Sequence, residues 1–132
     1  MTPELPRITS PQALRDLVKD AAVQCRCSLA RNKPWDSISE TDWPDHMRRV
    51  ATLTDPEISE PTFEEFHPDG TRYDSVNAPV ALMFFPFNRC DVWLCTRCKV
   101  YWLRYTEFGG YYVDHRARAL NAACIVDNPR LR

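Results

Sequence analysis

Six cysteines and three histidines carry most of the chemistry open to this 132-residue chain. Cys95-Thr96-Arg97-Cys98 puts two thiols into one tight turn, so both sulfurs can chelate one ion while turn amides donate hydrogen bonds to them. A structural zinc site takes four ligands, so two more are required. Three sources compete. Cys90 is nearest in sequence, but across a strand at 91–94 it would lie roughly 16 Å from Cys95 and point to the other sheet face. His115, folded back through Gly109-Gly110, falls opposite Trp102, away from Cys98. Cys25-Arg26-Cys27 would point its thiols about 200° apart on a helix, but in extended chain both sulfurs face the same way. The spacing therefore favours a site built from Cys25, Cys27, Cys95 and Cys98 over one using Cys90 and His115. All-thiolate ligation is soft and selects zinc over magnesium or calcium. It is also closed, leaving no position for an activated water.

Two other readings compete for the thiols. Cys25 also completes an apolar helical stripe, which would leave the remaining thiols buried or idle. A redox dithiol at Cys95 and Cys98 needs a helix N-terminus to lower a thiol pKa, and strand-like sequence lies on both sides. The stretch 93–102 resembles the knuckles of zinc ribbons and related small zinc folds. Those families place a glycine after the second cysteine, where this chain has Lys99.

Other residues suited to chemistry are fewer. His46, beside Asp45, is expected on a solvated helix face, and His67 flanks the Pro68-Asp69-Gly70 turn. His115 follows a strand and is a candidate general base or ligand. Glu64 and Glu65 would face opposite ways on a strand and do not form a carboxylate pair. The three glycines, Gly70, Gly109 and Gly110, exclude a P-loop, a dinucleotide fingerprint and a nucleophile elbow.

The elements that must position these groups follow from periodicity. Ser10-Pro11 caps an amphipathic helix over 11–25, with Leu14, Leu17, Val18, Ala21, Ala22 and Cys25 on one face. A second helix is expected from Thr41, burying Trp43, Met47 and Val50 and stopping at Thr54-Asp55-Pro56. Strand signals then follow: a hairpin over 62–67 and 71–74, an apolar run at 79–87 read as a strand buried on both faces, strands at 92–94 and 99–106, and another at 111–113. A short helix is expected within 116–124. The fold class expected is therefore α+β: one domain over 1–132, with an N-terminal helix pair on a small antiparallel sheet, a zinc-knuckle-like hairpin, and residues 1–9 as a loose arm.

Composition is that of a globular protein, with 44% hydrophobic and 27% charged residues. A net charge of −1 removes bulk electrostatic attraction to nucleic acid. The charge is segregated: Asp55, Glu57, Glu60, Glu64, Glu65, Asp69 and Asp74 face only Arg72, while the chain from Arg89 onward is basic. The start of the chain has no basic and apolar leader pattern, Pro79 and Pro86 interrupt the apolar run, and the C-terminus has no lipidation motif. A cytoplasmic protein without a membrane anchor is expected, in which thiols bind metal rather than form disulfides.

The function expected is a zinc-stabilised, non-enzymatic protein-binding module of the neutralising (immunity- or antitoxin-like) or adaptor kind. Glu57, Glu60, Glu64 and Glu65 would meet a basic partner, and Trp102, Arg104 and Tyr105 would add an aromatic surface. One alternative is a metal-dependent enzyme with an open site at Cys95, Cys98 and His115. Another is a single-strand nucleic-acid binder stacking bases on Lys99, Trp102, Arg104 and Tyr105.

Overall fold

A computed structural model of the chain describes residues 5–22, 25–27, 29, 33–108 and 110–127. Among the described residues one α-helix, α1 (Pro11–Leu17), precedes five strands: β1 (Asp36–Ser37), β2 (Met47–Thr52), β3 (Asp91–Cys95), β4 (Tyr101–Phe108) and β5 (Val113–Ala119). They form a single antiparallel sheet in the order β1-β5-β4-β3-β2. The architecture is mostly β, not a helix pair on a small sheet.

The first helix forms for the reasons its sequence gives and then stops early. Ser10 Oγ accepts the Ala13 N–H at 3.1 Å, and Pro11 fills a first-turn position whose N–H needs no partner. Leu14 and Val18 are buried. Beyond Val18 the backbone leaves the helix, and the Ala22 N–H donates to the Lys99 carbonyl at 2.9 Å. The expected extension to residue 25 is lost because this segment runs toward the β3–β4 hairpin; residues 23 and 24 lie outside the described residues.

The expected second helix is the strand β2. Trp43, Met47 and Val50 recur at helical spacing, but the period has another source. Met47 faces the cluster that holds Cys25 and Cys95, whereas Val50 and Ala51 face the opposite one, the register to β3 shifting between Arg49 and Ala51. A strand covered on both faces thereby imitates a helical repeat. Pro6 and Ile8 bond Thr52, tying the expected loose arm to the end of β2, while residues 1–4 lie outside the described residues.

The hairpin expected at 62–74 and the strand at 79–87 are likewise replaced. Residues 53–86 cross one face of the sheet in turns and irregular chain, and Val80 makes an isolated bridge to Ile125. Asn88 Nδ2 donates to the Thr62 carbonyl, and Arg89 Nη2 donates to the Pro61 carbonyl at 2.7 Å, so side chains supply part of the pairing that a ladder would provide. Arg118, 2% exposed, reaches from β5 to the Ala78 carbonyl at 2.6 Å and pins the same segment. The tail expected as a helix within 116–124 is mainly β5, with one 3-10 turn at Ala122–Cys124.

Side-chain alternation gives the sheet two distinct faces. One carries Val92, Leu103, Tyr105, Ala51 and Leu53 against Leu14, Val18, Val80, Leu82, Phe87 and Ile125. The other carries Met47, Cys95, Trp102 and Ala117 against Cys25, Leu29, Ile38 and Trp43. The second cluster ends in thiols, at the turn joining β3 to β4.

Candidate metal centre

The turn 96–99 between β3 and β4 is closed by Lys99 N–H to the Cys95 carbonyl and Cys95 N–H to the Val100 carbonyl, both at 2.8 Å. Cys95 is fully buried and ends β3, while Cys98 stands half-buried at the tip. Lys99 has φ +62°, the left-handed conformation that favours glycine. The position where zinc-ribbon knuckles carry glycine thus keeps the glycine geometry with a lysine in it.

Cys25 and Cys27 come up against this tip. The sulfurs of Cys25, Cys27, Cys95 and Cys98 all lie within 4.8 Å of one another. Cys27 Sγ is 3.5 Å from both Cys95 Sγ and Cys98 Sγ. Four thiolates around a tetrahedral ion at about 2.3 Å would stand about 3.8 Å apart, so little movement separates this arrangement from a coordination sphere. All six cysteines are free thiols. The four clustered cysteines could hold a metal ion.

Amide donors surround the sulfurs. Arg26 N–H donates to Cys98 Sγ at 3.2 Å, and Cys98 N–H donates to Cys95 Sγ at 3.4 Å. The first of these, followed by the Cys27 thiol, holds the Cys98 thiol down to about 7. Cys25 and Cys27 are pushed up, first by desolvation; for Cys27, hydrogen bonds from the neighbouring thiols add to this. A dication would reverse that balance, because thiolates bind it and protons leave.

His46 is the residue that sequence reasoning missed. It does not stand on a solvated helix face. Its Nε2 lies 3.3 Å from Cys27 Sγ and 3.3 Å from Cys95 Sγ. The carbonyl of His46 accepts from Thr96 Oγ1 at 2.7 Å, joining its backbone to the knuckle. The β2–β3 register, with Met47 opposite Cys95, brings it there, and no spacing in the sequence carries that information.

The remaining candidates lie elsewhere. Cys90 is fully buried at the far end of β3, where its thiol donates to the Pro86 carbonyl and burial raises its pKa. Cys124 packs against the opposite sheet face. His115 Nδ1 is 3.0 Å from Thr106 Oγ1 and its Nε2 is 3.1 Å from Glu40, so it is not one of the clustered groups.

The expected aromatic partner surface is corrected in part. Trp102 and Tyr105 are each 3% exposed and point to opposite faces of the sheet, so neither offers a stacking platform. Arg104 bonds Glu40 at 2.6 Å and lies 4.6 Å from the Trp43 ring centre, a packed guanidinium rather than a free one. Glu57, Glu60 and Glu65 are exposed and Glu64 is half-buried. Large apolar groups do reach solvent at the β4–β5 tip, where Phe108, Tyr111, Tyr112 and Val113 stand exposed. Among the described residues no helix is long and apolar enough to cross a membrane. No family model matches the chain, and no curated protein or solved structure is significantly similar to it.

Proposed function

We propose that the chain is a small cytoplasmic protein-binding module, held in shape by one zinc ion on Cys25, Cys27, Cys95 and Cys98. The convergence of four sulfurs from two distant parts of the chain supports this reading. Four soft ligands favour zinc. A closed thiolate set leaves no site for a reactive water, so the ion serves the fold. The docking surface has two parts: the acidic stretch with Glu57, Glu60, Glu64 and Glu65, and the exposed apolar tip at Phe108, Tyr111 and Tyr112. A basic partner suits the first part and an apolar anchor suits the second, as in a neutralising or adaptor protein.

Elemental analysis of protein purified without added metal tests the first half. One zinc per chain is expected, abolished by Cys25→Ser with Cys27→Ser; absence of metal from the unaltered protein overturns it. Pull-downs with Glu57, Glu60, Glu64 and Glu65 changed to Lys test the second half. Loss of partner capture is expected, and unchanged capture removes the acidic surface from the reading.

A further inference from the structure

Three of the four sulfurs in the cluster have a nitrogen beside them, and one of those nitrogens belongs to a side chain. The Cys98 sulfur takes the Arg26 amide and the Cys95 sulfur takes the Cys98 amide. At the Cys27 sulfur the neighbouring nitrogen is His46 Nε2, 3.3 Å away. The same Nε2 is 3.3 Å from Cys95 Sγ, so the ring lies along the Cys27–Cys95 edge of the four-sulfur set. Its placement is fixed from both sides. Thr96, inside the knuckle, holds the His46 carbonyl, and the next residue, Met47, is paired with Cys95. A surface groove lined by Arg26, Cys27, Asp45, His46, Arg97 and Cys98 opens beside this edge.

Resting on the zinc reading, we propose that His46 is a positioning residue of the metal centre: an imidazole that donates its Nε2–H as a hydrogen bond shared between the Cys27 and Cys95 thiolates. Four thiolates around a divalent ion leave a net charge of about −2 that the protein must spread. Charge-assisted N–H bonds to sulfur do so, and they hold each ligand against dissociation. The two amide donors belong to the backbone, leaving His46 as the donor a substitution can remove without altering a ligand.

Zinc transfer to a chromophoric chelator and the absorption of the cobalt(II)-loaded protein test this. His46→Ala is expected to keep one metal per chain, release zinc roughly tenfold faster and move the sulfur-to-cobalt charge-transfer band to lower energy. His46→Gln, which restores an N–H donor, is expected to recover most of both changes. Release and spectrum both unchanged in His46→Ala would overturn the proposal. So would an unaltered protein whose cobalt spectrum reports a nitrogen ligand that His46→Ala removes, because His46 would then bind the ion itself. If the unaltered protein takes up no metal, the zinc reading fails and this proposal with it. If uptake needs Cys25 and Cys27 while the release rate and the cobalt spectrum ignore His46, this proposal alone fails.

Discussion

At the scale of single residues the thiols were legible and their neighbours were not. Cys95 and Cys98 announce themselves by spacing, and an extended Cys25-Arg26-Cys27 is the geometry that turns two more sulfurs toward them. His46 gave no such signal, because its contact with Cys27 and Cys95 depends on strand pairing between segments far apart in sequence. Lys99 was conspicuous as a missing glycine, and its φ of +62° shows the backbone paying no attention to the change of residue. A non-glycine residue in that region is strained by roughly 1–2 kcal/mol, partly offset in a glycine variant by the entropy of its unfolded chain. Lys99→Gly is therefore expected to stabilise the protein by up to about 1 kcal/mol, read as a higher urea midpoint at unchanged slope.

At the scale of elements, helix was over-read wherever inward residues fell three or four apart. Met47, Val50 and Ala51 owe that spacing to a strand covered on both faces, which no pattern of residue types reveals. The run at 79–87 misled in the opposite sense. Its apolar content is real, with Val80, Ala81, Leu82 and Phe84 buried, but it covers the sheet as irregular chain instead of joining it. Strands β3 and β4 were better marked, because they flank the knuckle and alternate cleanly between the two clusters. Leu103, 0% exposed at the middle of β4, sits at the centre of that alternation. Leu103→Ala is expected to cost about 2–5 kcal/mol, measured by chemical denaturation. If the loss is below about 1 kcal/mol, this face of the sheet is less tightly packed than its burial implies.

At the scale of the whole molecule, the four cysteines join the region after α1 to the hairpin between β3 and β4, across a sequence separation of 71 residues between Cys27 and Cys98. A ligand that binds only the folded form stabilises it by mass action, by about 4 kcal/mol at a thousandfold excess over its dissociation constant. For a domain of this size that corresponds to about 10 °C or more in melting temperature. Removing metal with a strong chelator is expected to lower Tm by that amount, and restoring zinc to recover it. Amide exchange should rise first in residues 20–22, 25–27 and 95–99, and last in the body of β4 and β5. A melting curve indifferent to chelation would mean that packing alone joins the two regions. The exposed Phe108, Tyr111 and Tyr112 lie at the end of the β4–β5 hairpin, so polar substitutions there should leave Tm nearly unchanged while weakening partner capture.

The long separation between the paired cysteines also bears on synthesis. A ribosome adding about 5–20 residues per second delivers Cys98 roughly 4–14 s after Cys27. If the four cysteines bind an ion together, the nascent chain exposes half of that set for this interval, too few donors to retain an ion and enough thiol to react with an oxidant. On the zinc reading, capture waits until the last strands are emerging, so zinc supply and chaperone protection would together decide how much newly made polypeptide survives.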